Sequence, residues 1–141
     1  MPTIFTLIIR GDLPGRFVWR DDRCVAFLSI HPVRPGHTLV VPRLEVDHWI
    51  ELDPRLNLHL VGVAQSLGRA LQQAFSPRRV ALAVLGLEVP HVHYHLVPIN
   101  HEGDLNFANA DIDAKAEDLD RAAASIRAAL EALGYAHGSA A

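Results

Sequence analysis

The chain has 141 residues, half of them hydrophobic and 21% charged, which suits one soluble globular domain with room for a core. Its net charge is -3 and its basic side chains are twelve arginines and Lys115, so it offers no broad positive field to a nucleic acid or an anionic membrane. The single cysteine, Cys24, excludes an internal disulfide and suits a reducing compartment; no stretch approaches the ~18 apolar residues of a membrane span, and no basic-then-apolar leader opens the sequence, so a cytoplasmic location is expected.

Residues 4–10 are apolar with β-branched content and fit helix or strand on propensity alone. Gly11 to Gly15, with Pro14 between, predicts a turn, and Phe17-Val18-Trp19-Arg20 a strand closed by the polar Asp21-Asp22-Arg23. Cys24 to Ile30 answers it as the second strand of a hairpin, with Cys24 a packing residue among Val25, Ala26 and Phe27. His31 to Gly36 is a rigid connector in which Pro32 and Pro35 fix φ and Gly36 is free to take a positive one. It delivers His37 to the start of a strand where His37, Leu39 and Val41 share a face.

A long helix follows, with Asp53 as N-cap, Pro54 in its first turn and an apolar stripe of Leu60, Ala64, Leu67, Leu71 and Ala74, stopped by Ser76-Pro77. Val80 to Leu85 is apolar throughout and is expected to be a strand buried on both faces. The short loop Gly86 to Pro90 makes the strands on either side of it antiparallel neighbours. After Asn100 the sequence turns polar and acidic through Asp113, the least structured stretch. A second helix then carries Leu119, Ala122, Ile126, Leu130 and Leu133 on one stripe, to pack on its own domain or on a partner subunit, with Gly134 as terminator and 137–141 a flexible tail.

The segment that organises the chain is His91-Val92-His93-Tyr94-His95-Leu96-Val97-Pro98-Ile99. In an extended strand His91, His93 and His95 fall on one face and Val92, Tyr94 and Leu96 on the other, toward a core, with Pro98 expected to end the pairing. A row of titrating rings contributes little to packing and needs hydrogen-bond partners if buried, so a purely structural role fits poorly. A zinc site is a second reading, but the outer rings of such a row start ~13 Å apart, so only two adjacent rings with a third ligand such as His37 would converge. Nucleophilic catalysis is the third: a neutral imidazole offers one lone pair while its other nitrogen, as N–H, is held by a carbonyl, and phosphorus is the natural electrophile.

The heptad His91 to Val97 resembles the signature of the histidine triad (HIT) family, and the likeness extends through Ile4 to Pro14, Asp21-Asp22 with Val25 to Leu28, and Pro35 to Pro42. The resemblance implies an α+β, HIT-like fold: an antiparallel sheet of about five strands, a short opening helix, a long central helix and a C-terminal helix. It implies a HIT domain over 1–105, with 106–136 an acidic connector and the last helix. The activity implied is hydrolysis at the α-phosphate of a nucleotide conjugate, a phosphoramidate or a dinucleoside polyphosphate. His93 would be the nucleophile, His91 and His95 would flank it as donors to the phosphate oxygens, and His37 would stand nearby as a fourth histidine. A nucleotide-binding or scaffolding module with negligible turnover is the first alternative, and a nucleotidyltransferase or phosphorylase the second.

Two departures from the family pattern are visible. Leu87 and Glu88 stand where a glutamine and then a hydroxyl residue are common, making Glu88 either a general acid, an orienting group or a solvated loop residue. Ser29 stands where an aspartate commonly meets the ribose, so Ser29 and His31, with Leu28 and Ile30 beside them, are the expected substrate-binding residues. Thr6 occupies the place of a cysteine that helps some members hold a structural zinc, so no metal and no cofactor are expected. The family habit and the apolar Val80 to Leu85 together imply a homodimer.

Overall fold

The computed structural model describes residues 1–135, so the expected tail lies outside the described residues. Among these are helices α1 (Ile4–Arg10), α2 (Pro54–Phe75) and α3 (Ala116–Ala132), and strands β1 (Phe17–Arg20), β2 (Cys24–Leu28), β3 (Thr38–Pro42), β4 (Arg79–Val84) and β5 (Tyr94–Ile99). The strands form one antiparallel sheet in the order β1-β2-β3-β5-β4. The fold is the expected α+β arrangement.

Alternation along the strands divides the core into two layers. Ala26, Leu28, Val40, Tyr94 and Leu96 meet Leu60, Ala64, Leu67 and Leu71 of α2 and Ile126 and Leu130 of α3. On the opposite face Val25, Phe27, Leu39 and Val41 meet Phe5, Ile8 and Ile9 of α1. The C-terminal helix therefore packs on its own chain, fastened at its start by Arg16 to Asp120 at 2.7 Å and along its length by Arg127 Nε donating to the Phe17 carbonyl at 2.8 Å. Asp53 caps α2 through the Arg55 N–H, as the sequence predicts, and Ser76 ends it in the left-handed region. No described helix is long and apolar enough to cross a membrane.

Three expectations are corrected. β2 ends at Leu28 and leaves Ser29 and Ile30 outside the ladder, because β3 pairs with it only as far as Thr38. β4 is an edge strand, partly exposed along its length with Leu82 at 50%, and not a strand buried on both faces, since none of the described residues pairs beyond it. β5 begins at Tyr94 and runs through Pro98, which pairs with Val80. Pro98 is tolerated there because β3 reaches only to Leu96, so the strand is bordered on one side only at the proline.

Candidate active site

The four histidines come together on the α1 face of the sheet from two segments. His95 lies in β5, opposite Leu39 of β3, while His91 and His93 reach the same face from irregular backbone before the strand begins. His37 arrives at the foot of β3 through the connector, where Gly36 takes φ 92° and an added Cβ would stand 2.9 Å from the Phe75 ring, a close approach only glycine permits. The result is a row of rings. Phe5 packs edge-on to His91 and His93 with centroids 5.8 and 4.9 Å away, His93 to His95 is 4.7 Å, and His95 to His37 is 5.2 Å. Phe107 closes the far end, 4.7 Å from His95 and 6.1 Å from His37.

The hydrogen-bond partners fix which nitrogen of each neutral ring carries the proton. The Val33 N–H donates to His37 Nδ1 at 3.1 Å, so the His37 proton is on Nε2, which faces His95 Nδ1 at 2.9 Å. His95 Nδ1 must then accept, and its own proton is carried outward on Nε2. His93 Nδ1 lies 2.8 Å from the His91 carbonyl, which can only accept, so His93 carries its proton there and keeps a lone pair on Nε2. His91 is engaged at both nitrogens: Nε2 donates to the Pro42 carbonyl at 2.8 Å, and Nδ1 accepts from the Thr3 hydroxyl at 2.7 Å. The row thus presents one lone pair, on His93, beside one N–H, on His95.

Burial keeps the rings neutral. It pushes His37 down to about 4 and His95 down to about 3, in both cases helped by the neighbouring histidines, and it lowers His91 and His93 as well. The sign of the consequence for stability follows. An unfolded histidine begins to bind protons near pH 6.5, while His37 holds out to about 4, so the stability present above pH 6.5 is lost as pH falls through that window. The urea midpoint should therefore drop between about pH 7.5 and about pH 4.5, and drop less in a variant with both His37 and His95 replaced by phenylalanine. Equal acid sensitivity of the two proteins would contradict this assignment.

The other expected site residues are placed unevenly. Glu88 is exposed in the loop before the triad, close enough for its charge to favour protonation of His93. Ser29 is half-buried with its hydroxyl accepting the His31 N–H at 3.3 Å, and Ile30 and His31 are exposed on the connector beyond β2. Leu28 points into the helical core, on the sheet face away from the histidines, and the β2 side chains that face the triad side are Val25 and Phe27. Phe5, Thr3 and Phe107 were not singled out by sequence. Phe107 is the one aromatic in the acidic stretch 101–113, a signal that was available. Its segment forms short 3-10 turns, anchored by Asp104 accepting the Asn100 and His101 N–H groups at 2.8 and 3.0 Å and by the Asp111 N–H on the Pro32 carbonyl at 2.9 Å.

Two clusters have the donor types of a metal centre. The His37 and His95 nitrogens face each other at 2.9 Å, closer than the roughly 3.3 Å that separates two nitrogens sharing a tetrahedral zinc, so the pair is built as a hydrogen bond. Asp21, Cys24 and His59 bring ligand-type atoms within 4.8 Å of one another. There Arg23 donates to His59 Nδ1 at 3.0 Å, leaving Nε2 protonated to donate to Asp21 at 2.8 Å. The same carboxylate takes the Trp19 indole N–H at 2.9 Å and the Arg23 and Cys24 N–H groups at 2.8 Å each, while burial pushes the Cys24 thiol up. Protons already occupy that cluster, which ties the β1–β2 turn to α2.

Comparison with known proteins agrees with this geometry. A HIT domain model matches residues 10–102. The protein hit of Bacillus subtilis is 34% identical over 134 residues, covering 87% of this chain and 90% of its own. An adenylylsulfatase of Arabidopsis thaliana is 26% identical over 128 residues, 87% of this chain and 64% of its own, so the family includes hydrolases. The structure of a hypothetical histidine triad nucleotide-binding protein from Sulfolobus tokodaii superposes with a TM-score of 0.78 at 26% identity, covering 96% of each chain. With its four histidines assembled on one sheet face and the matching model spanning the strands that carry them, the chain belongs to the HIT family, the histidine triad proteins.

Proposed function

We propose that the protein is a hydrolase acting at the α-phosphate of nucleotide conjugates, nucleoside phosphoramidates or dinucleoside polyphosphates, through a nucleotidyl-histidine intermediate. The observation that supports it most is the tautomer of His93, whose Nδ1 proton is held by the His91 carbonyl and whose Nε2 lone pair meets no hydrogen bond among the described residues. In the first step a bond forms from Nε2 to phosphorus as the bond to the leaving oxygen or nitrogen breaks, the electron pair departing with that atom, which takes a proton from solvent. His95 Nε2–H stands beside the reacting centre to hold the phosphate oxygens as charge develops. Water then attacks phosphorus, gives up a proton to solvent, and returns His93 with its lone pair. His91, both nitrogens occupied, acts by holding His93 and not by touching phosphate. Ser29 and His31 at the start of the connector are the proposed ribose-side residues, and Glu88 the charge that stabilises cationic His93. A chromogenic nucleoside phosphoramidate should give a burst of about one leaving group per chain followed by slower turnover. Linear release with no adduct by mass would overturn the reading.

We also propose that the protein works as a homodimer in the cytoplasm. β4 leaves a row of unpaired backbone groups, and Leu82, Leu85 and Leu87 are 50, 46 and 91% exposed along and just after it. An apolar edge of this kind is the usual place for a second strand. Light scattering at micromolar concentration should give twice the chain mass, and Leu82→Lys should give a monomer. A wild-type monomer would remove the proposal.

A further inference from the structure

A run of hydrogen bonds leads from the surface to the triad, and its outer members, Glu45, Thr6 and Thr3, have no place in the chemistry described above. Glu45, exposed just past the end of β3, accepts the Thr3 N–H at 2.8 Å on Oε1 and, on the same oxygen, the hydroxyl of Thr6 in a short contact. Those bonds, the Thr6 hydroxyl first, hold the Glu45 carboxyl below its ordinary range. Thr3 is the N-cap of α1, its hydroxyl oxygen accepting the Thr6 N–H at 3.2 Å, and the one proton of that hydroxyl goes to His91 Nδ1 at 2.7 Å. From there the chain continues through the fully buried His91 ring to the Pro42 carbonyl, and through the His91 carbonyl to His93 Nδ1.

We propose that Thr3, Thr6 and Glu45 are positioning residues, which hold His91 so that its carbonyl keeps the His93 lone pair on Nε2. The need for such a device follows from where β5 begins. His91 lies three residues before the strand, so no ladder fixes its carbonyl, and the backbone bonds near it run from its own N–H to Val89 at 2.8 Å and from the Val92 N–H to Val46 at 2.8 Å. The second of these orients the peptide that carries the His91 carbonyl from its N–H side, and the ring, gripped at both nitrogens, holds it from the side-chain end. The Thr3 hydroxyl has two acceptors in reach, Thr6 Oγ1 at 3.3 Å and His91 Nδ1 at 2.7 Å, and its one proton goes to the nearer, while the Thr6 proton goes to Glu45. The Pro42 carbonyl puts the His91 proton on Nε2 and so makes Nδ1 the acceptor, and Glu45, taking the Thr3 N–H and the Thr6 hydroxyl, holds the start of α1 so that the Thr3 hydroxyl stays within reach of that nitrogen.

The inference rests on the hydrolase reading for its kinetic consequence, and the test separates the two. Imidazole ¹⁵N shifts, measured without substrate, should show His93 protonated at Nδ1 in the wild type and averaged between tautomers in Thr3→Val. Single-turnover adduct formation should slow by roughly tenfold in Thr3→Val and by roughly threefold or more in Glu45→Ala, since one hydrogen bond is worth about 0.5–1.5 kcal/mol, with KM changed little. Thr3→Ser, which keeps the hydroxyl, should return most of the lost rate. A merely structural part for this network would lower the melting temperature while leaving the ¹⁵N signature and the rate per folded chain as they were, and that result overturns the inference. Glu45 is exposed, so its variants remain informative if Thr3→Val folds poorly. A wild type that forms no adduct sinks the hydrolase reading instead, and the ¹⁵N comparison still decides whether the clamp exists.

Discussion

Replacing His93 by alanine is expected to lower kcat by on the order of 10⁴-fold or more and to abolish the covalent adduct, because in the proposed mechanism losing this ring removes the two-step path itself. The geometry singles out this ring. His91 has no nitrogen to offer and is buried at 0% exposure, and His37 has one nitrogen on the Val33 N–H and the other on His95. His95 presents Nε2 as a donor, so only His93 directs a lone pair away from its partners. Its neutrality also matters: burial lowers its pKa, so protonation does not compete near neutral pH. Peptide mapping after a stopped turnover should therefore find the nucleotide on His93 in the wild type. Strong chelators should leave the rate unaffected. An adduct on His95, or activity that depends on an added metal, would refute the assignment, and circular dichroism of His93→Ala guards against a folding artefact.

Much of this site was legible in the sequence because its information is local. The alternation of His91, His93 and His95 places them on one face whatever the sheet around them, and Pro35-Gly36 before His37 announces a turn into a strand. The long helix could be read from its cap and stripe for the same reason. What could not be read is contact between distant segments. The apolar run from 80 to 85 predicts a covered strand, whereas among the described residues β4 lies at an edge. The direction of Leu28 depends on the phase of β2, which one residue of slip inverts; the two layers of the core put it opposite the triad. Phe107 reaches His95 only because Asp104 and Asp111 fasten an otherwise polar segment back onto the chain, and Thr3 meets His91 across 88 positions of sequence. The tautomers that assign the chemistry needed all of these partners at once.

The second large effect concerns His95, together with His37 as a unit. His95→Phe removes the donor beside the proposed nucleophile, and the loss of one such preorganised donor typically costs about 10²–10³ in kcat. His37→Phe leaves His95 in place but takes away the N–H that fixes its tautomer, a hydrogen bond worth about 0.5–1.5 kcal/mol, so kcat should fall by roughly tenfold or less. It also leaves the Val33 N–H without its acceptor, so the melting temperature should fall as well. The informative variant is the double one. If His37 acts only by aiming His95, its removal has nothing further to damage once His95 is gone, and His95→Phe with His37→Phe should be no slower than His95→Phe alone. The cycle should therefore show a coupling equal to the whole effect of the His37 single variant. Additive losses would mean that His37 meets the substrate itself, and the relay from Val33 through His37 to His95 would have to be given up as the source of the donor.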